Sequence, residues 1–340
     1  MSLARYILKR FIISLITVFV ILVITFFITR ALPGDPAWMR LPPKATLERY
    51  YQERARLGLD EPLYVQLFIF MGDMLTGNWG VSWTIMQDMP VWTVVMQTLP
   101  KSLEIMFISF TIAVIFGILL GKTAGAHQNS KRDYVIRGFS YLIVSIPAFI
   151  IIIFLIQIYV NTRFTLFPLF GYKTLEYPDP PVVTGSRIID ALLSRQIYLI
   201  FDYLYHLVVP IAAMVMVQVV IIIRQTRASM IDTMEQDYIR TARAKGCSNR
   251  IIINRHALKN AAPPAIIASG MGFAIILGGL IAVERIYQLP GLGNLFYDAV
   301  RYTDYSVVVA CVFVFSIVAI VFNFISDVII AFIDPRIRLK

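Results

Sequence analysis

The sequence predicts an all-α integral membrane protein with six transmembrane helices and a small external subdomain after the first. Two observations carry that prediction. Of 340 residues, 58% are apolar and 15% are charged. Soluble chains run near 45–50% and about 25%, so the surface of a soluble fold would have to be built from residues this chain lacks. Six apolar windows then match the roughly 20 residues needed to cross hydrocarbon: residues 11–29, 102–121, 138–160, 203–223, 261–283 and 305–326. Disorder, collagen and coiled coil are excluded by the same composition.

Taken in order, the first window follows Arg5, Lys9 and Arg10. Its apolar run is too long for a signal peptide, and no small-x-small cleavage site follows, so it reads as an uncleaved anchor. The stretch 45–57 is charged and free of Gly and Pro until Gly58, as a small external helical subdomain requires. The second window holds one charge, Glu104, and the other five hold none. Pro147 in the third and Pro210 in the fourth are expected to kink or start helices. The stretch 172–185, with Pro178, Pro180 and Pro181, reads as irregular. Gly270, Gly272, Gly278 and Gly279 make the fifth window smooth, for close packing or for movement at a gate. The expected organisation is residues 1–30 (cytoplasmic N-terminus and first span), 31–101 (external subdomain), 102–333 (five-helix core with the cytoplasmic loop 224–260) and 334–340 (cytoplasmic tail).

Lys and Arg set the orientation. An even number of spans puts both termini on one side, with loops 122–137 and 224–260. That side carries 18 Lys and Arg against 6 Asp and Glu; the other, Glu104 included, carries 13 against 15. The net charge of +10 is therefore a topology signal, and nucleic acid is not needed as a partner. The lipid bilayer is, and both termini are expected to be cytoplasmic.

Chemistry is scarce. Cys247 and Cys311 form no C-x-x-C pair, and His127, His206 and His256 have no metal spacing, so no metal site is expected. No G-x-S-x-G elbow occurs, and no catalytic residue is expected. Gly117 to Thr123 imitates a phosphate loop, but only three residues separate its glycines and it lies within a span. Gly117, Gly121 and Gly125 read instead as a small-x-x-x-small packing stripe. ATP is thus not expected on this chain. Polar groups at membrane depth are few and mild: Gln157, His206, Gln218 and, at the outer end of the fifth window, Glu284. Pro147, Gln157, Gln218, Gly272 and Glu284 are the candidates for a transport path. The absence of a buried ionisable relay disfavours a secondary transporter.

The loop 224–260 is more informative. Residues 228–239 place Met230, Ile231, Met234, Tyr238 and Ile239 on one helical face. Gly246 fits a helix C-terminal cap and Ser248 an N-cap. A second helix, 249–258, carries Ile251, Ile252 and Ile253 with Arg250, Arg255 and His256. A helix–Gly–helix elbow with an apolar face suits insertion into a partner's groove.

At Arg240, Thr241, Ala242 and Gly246 this elbow resembles the E-A-A-x-x-x-G loop of ABC-importer permeases, with Glu and the first Ala replaced. The run Arg240 to Gly246 is similar to the oligopeptide/dipeptide branch. So are Leu32-Pro33-Gly34-Asp35-Pro36, Leu57 to Pro62, Gly77 to Ser82 (Asn78 and Trp79 depart), Pro90-Val91, Leu99-Pro100, Ser145-Ile146-Pro147, Pro290 to Gly293, Asp304-Tyr305 and Asp334-Pro335-Arg336. The resemblance spans nearly the whole chain.

It implies a type I importer permease fold in the plasma (inner) membrane and a division of labour. A homologous second permease would complete the path. Two cytoplasmic ATPase subunits would bind ATP and Mg, leaving this chain without a cofactor and without enzyme activity. An external substrate-binding protein would deliver cargo. Tyr238, Arg240, Thr241, Ala242, Lys245, Gly246, Ser248, Ile251, Arg255 and His256 would couple to the ATPase. Peptides are the implied cargo, with oligosaccharides the runner-up and nickel chelates or glutathione further alternatives. A channel would need a filter segment, and an ABC exporter would need longer cytoplasmic helices than loops of 16 and 37 residues allow.

Overall fold

Long apolar helices frame the molecule. The computed structural model describes residues 3–31, 35, 37–42, 44–82, 84–162 and 166–333. The expected tail 334–340, the Asp334-Pro335-Arg336 motif, and all of Leu32 to Pro36 except Asp35 lie outside them. In chain order the elements are α1 (Leu3–Ala31), α2 (Leu47–Arg56), α3 (Leu63–Thr76), a short antiparallel pair β1 (Val81–Ser82) and β2 (Met89–Pro90), α4 (Val91–Ala126), α5 (Lys131–Ser145), α6 (Ala148–Thr162), α7 (Arg187–Leu193), α8 (Ile197–Met234), α9 (Asp237–Ala244), α10 (Asn249–Ile251), α11 (Leu258–Ile286), α12 (Leu292–Arg301) and α13 (Tyr305–Ile333).

Among the described residues, four helices, α1, α4, α8 and α13, are long and apolar enough to cross a membrane, and the bent pair α5–α6 makes a fifth if it is one span. The 29 residues of α11 cover the window 261–283, and at 1.5 Å per residue a helix of that length reaches about 43 Å. The architecture is therefore compatible with six spans. Along α1, Leu8, Phe11, Ile16 and Phe27 are exposed, an apolar surface that suits lipid and not water.

The helices depart from the sequence windows in four places. The third window, 138–160, is not one straight span: α5 and α6 meet at a 107° bend, because Pro147 has no N–H to continue the ladder and restricts Ile146 to extended backbone. Pro147 thus starts α6, whereas Pro210 lies inside an uninterrupted α8. The second window is the inner part of a 36-residue α4 that already begins at Val91, so the end of the segment expected to form the subdomain runs straight into the span. The expected helix 228–239 does not exist as a unit: residues up to Met234 belong to α8, and α9 begins afresh at Asp237. The expected helix 249–258 is not separate either. α10 passes through a π-helical stretch, Ile252–Ala257, directly into α11.

The glycine stripe behaves as packing chemistry requires. Gly117, Gly121 and Gly125 of α4 face Ile222, Thr226 and Met230 of α8, and an added Cβ would stand 2.5–2.6 Å from those side chains. Both sets advance by four, so the helices lie in parallel, backbone against backbone. The segment after α1 closes on α2, capped by Thr46, and on Asp35, which accepts from Tyr50 Oη at 2.8 Å and Arg54 Nη1 at 3.0 Å. A core of Trp79, Val94, Leu292, Leu295, Val307 and Phe313 ties the hairpin, α4, α12 and α13 together.

Candidate coupling elbow and transport path

α9 ends in a Schellman motif. Gly246 N–H donates to the Arg243 carbonyl at 3.0 Å and Cys247 N–H to the Ala242 carbonyl at 3.2 Å, the pair of bonds that satisfies a helix's last carbonyls. The motif needs a left-handed residue after the cap, and Gly246 supplies it with φ +79°. Nothing lies within 4 Å of where its Cβ would be. Backbone conformation, not space, therefore requires glycine there. Ser248 adopts the extended N-cap conformation and its carbonyl accepts from Ile251 and Ile252, but its side chain makes no capping bond.

The apolar face expected to enter a partner is turned inward instead. Met230, Ile239, Ala242, Ile252, Ala257 and Ala261 form a small buried core, with Cys247, Ile253 and Ala126 partly buried beside it. Burying side chains such as Ile239 and Ile252 is worth about 1.5–3 kcal/mol each. This core therefore fastens the elbow to the ends of α8, α4 and α11. Lys122 Nζ adds a 3.0 Å bond to Asn254 Oδ1, and Asn260 Nδ2 one of 3.0 Å to Tyr238 Oη. What faces outward is a mixed ridge: Tyr238 (42% exposed) and Ile251 (46% exposed), among exposed Arg240, Thr241, Arg243, Lys245, Arg250 and Arg255, with His256 half-buried. The expected coupling residues are thus brought together, except that Ala242 belongs to the inner core.

The path candidates separate. Gln218 and Gly272 meet where α8 crosses α11. A Cβ on Gly272 would overlap the Gln218 amide, so the glycine makes room for that side chain. Gln218 Nε2 reaches the Ser269 carbonyl at 3.5 Å, while its Oε1 is buried without a hydrogen-bond partner among the described residues. Gln218 lines a cavity of about 360 Å³ between α6, α8 and α11, whose other walls include Phe149, Ile152, Met214 and Gly278. Pro147 and Gln157 are exposed on the α5–α6 arm and do not line it.

Glu284 is fully buried and caps α12. Its Oε1 accepts from Ser102 Oγ at 2.5 Å, and its Oε2 from the N–H groups of Gly293 at 2.7 Å and Asn294 at 3.0 Å. Ser102 Oγ in turn accepts from Leu292 N–H at 2.7 Å. A carboxylate here meets unpaired donors and the positive end of a helix. Side chains at Gly291 or Gly293 would run into that carboxylate, which explains the Pro290 to Gly293 motif in space. A second motif pair meets nearby: Ser82 Oγ donates to Asp304 Oδ2 at 2.7 Å.

Two anchors escaped sequence reasoning. Glu104 accepts from Ser186 Oγ and from Ile188 N–H, tying α4 to the α7 loop. Asp133, a lone acid in a basic loop, binds Arg227 through both oxygens, at 2.6 and 2.9 Å. Its isolation among cations was the available signal. In α7 Asp190 is buried. Burial pushes its carboxyl up, but bonds from the N–H and Oγ1 of Thr184 and the N–H of Gly185 outweigh it and hold the carboxyl below its ordinary range.

Residues 113–339 match the model of the binding-protein-dependent transport system inner membrane component, and residues 3–106 match that of its N-terminal region. The chain belongs to this family. It is 32% identical over 335 residues to a dipeptide transport system permease protein of Lactococcus lactis, covering 98% of this chain and 99% of the relative. An oligopeptide transport system permease protein of Bacillus subtilis is equally similar, at 32% over the same coverage. A glutathione transport system permease protein of Escherichia coli is 31% identical, covering 99% of each chain. Membership makes the chain a multi-pass membrane component of a transport system.

Proposed function

We propose that this chain is a permease subunit of an ATP-driven peptide importer, forming the path with a homologous second permease. The observation that carries the proposal is the elbow: a rigid, capped turn, glued to three membrane helices from within, whose exposed ridge stands clear of its own chain. Two ATPase subunits bind ATP and Mg and seat these ridges, and an external binding protein delivers cargo to the opposite face. The excess of Lys and Arg supports placing both termini and the elbow in the cytoplasm.

The mechanics follow from continuity. α8 ends at the elbow and α11 begins there, so a shift of the ridge moves both helices. Met234 and Gln218 are about 24 Å apart along α8, and Leu258 and Gly272 about 21 Å along α11. Both levers meet at the Gln218–Gly272 contact. ATP drives the cycle only through its different affinity for the inward- and outward-open states. The π-helical stretch at the base of α11 is a natural joint.

Peptide cargo rests on the names of the relatives, and the glutathione permeases among them favour a second reading, of glutathione itself. The test is purification in mild detergent with mass spectrometry of the accompanying subunits, followed by uptake of labelled peptide into proteoliposomes loaded with ATP. Co-purifying ATPases and peptide uptake support the proposal. A lone homo-oligomer would overturn it, and uptake of glutathione but no other peptide would shift the cargo.

A further inference from the structure

At the cytoplasmic edge of the membrane frame, a second cavity of about 430 Å³ opens between α5 and α8. Its walls are polarised. Arg137, Arg224 and Arg227 line the cytoplasmic end, and Tyr141, Ile221 and Ile223 lie deeper along the same two helices. Arg137 immediately precedes the third apolar window and Arg224 immediately follows the fourth, so the guanidinium groups sit at the level where hydrocarbon gives way to water.

Charge is left over there. Arg227 is neutralised by Asp133 through the two short bonds described above. Among the described residues neither Arg137 nor Arg224 has an ion-pair partner within 4.0 Å, and Arg137 Nε is buried without a hydrogen-bond partner. Three arginines against one aspartate leave a surplus of two positive charges over an apolar floor. A buried guanidinium N–H without a partner is costly, and Arg favours bidentate recognition of phosphate.

We propose that this cavity holds the phosphate headgroup of an anionic phospholipid of the cytoplasmic leaflet. Arg137 and Arg224 grip the phosphate, the Tyr141 hydroxyl donates from below, and an acyl chain descends along Ile221 and Ile223. Cations above and apolar wall below match a lipid and not a free anion. The site owes nothing to the identity of the cargo. Bound lipid would brace α5 against α8, the helix that carries the elbow.

The test is native mass spectrometry of the full-length chain with its co-purifying subunits, equilibrated with phosphatidylglycerol or phosphatidylcholine. Each arginine at an anionic surface is worth about fivefold in affinity, so the double variant Arg137→Gln/Arg224→Gln should lose retained phosphatidylglycerol by about 25-fold. Lys131→Gln, an exposed change outside the cavity, should keep it. Equal retention of both lipids, or no change in the double variant, would overturn the proposal. So would displacement of phosphatidylglycerol by millimolar inorganic phosphate, which would make this a free-anion site. If the double variant fails to fold, Arg224→Lys serves instead: it keeps the charge without the bidentate fork, and a severalfold fall in retention is expected, whereas unchanged retention counts against the phosphate grip.

Discussion

The Glu284 end of the frame and the elbow treat polar groups in opposite ways. At the first, Glu284, Ser102, Ser82 and Asp304 are buried and matched donor to acceptor within the chain. At the elbow the buried cluster is apolar, and Arg240, Lys245 and Arg255 face outward. The Glu284 end completes its own structure. The elbow is complete as a shape and, on the proposed function, leaves its surface chemistry to a partner. Loss of a group should therefore unfold the first region and uncouple the second.

The largest effect is expected at Glu284. Glu284→Ala strips the cap from three N–H and hydroxyl donors and should cost about 3 kcal/mol, read as a fall in the thermal midpoint of the detergent-solubilised protein. Gly291→Ala should act in the same direction by pushing a methyl into that carboxylate. A midpoint unchanged in both would erase the contrast between the two ends. Ser82→Ala, which deprives buried Asp304 of a donor, should cost about 2 kcal/mol by the same assay.

At the elbow the expected costs shift from stability to coupling. Gly246→Ala meets no neighbour but forces a side chain into left-handed backbone, at about 1–2 kcal/mol. Gly246→Asn should be milder, since Asn tolerates that region. Substrate-stimulated ATPase activity should follow the same order. Ile251→Asp should leave stability within about 0.5 kcal/mol yet lower stimulated ATPase activity about tenfold, as loss of an interface anchor does.

The smallest effect is a pH dependence at α7. The Asp190 carboxyl is held below its ordinary range, so its contribution to stability is complete above the unfolded value of about 3.9 and fades as pH falls through the lower folded one. Asp190→Asn should flatten the acid limb of the stability profile. An unchanged limb would mean that the Thr184 and Gly185 bonds carry no charge preference.

Spans and elbow were legible because hydropathy and capping are local. The length of the apolar windows found the helices, and Gly246 announced its own turn. Helix ends were less legible, since α4, α8 and α11 run past the ends of the apolar windows into segments of mixed composition. Which way a face points was not legible: Ile239 and Ile252 read as a docking face, and only packing against Met230 and Ala261 shows them turned inward. Glu284 looked like a path residue because an acid at a membrane boundary signals function. Its partners, Ser102 and the N–H groups after Pro290, come from distant segments that no periodicity connects.

The most direct test of the central claim, that the elbow's outer ridge is a docking surface for a separate ATPase, uses the chain's few cysteines. Cys311 is buried, leaving Cys247 as the one reachable native thiol. With Cys247→Ser and Ile251→Cys, a single exposed thiol stands on the ridge. Its labelling by a maleimide in inside-out vesicles should be slow with the ATPase subunits bound and fast once they are stripped away. Equal labelling in the two states would contradict the account.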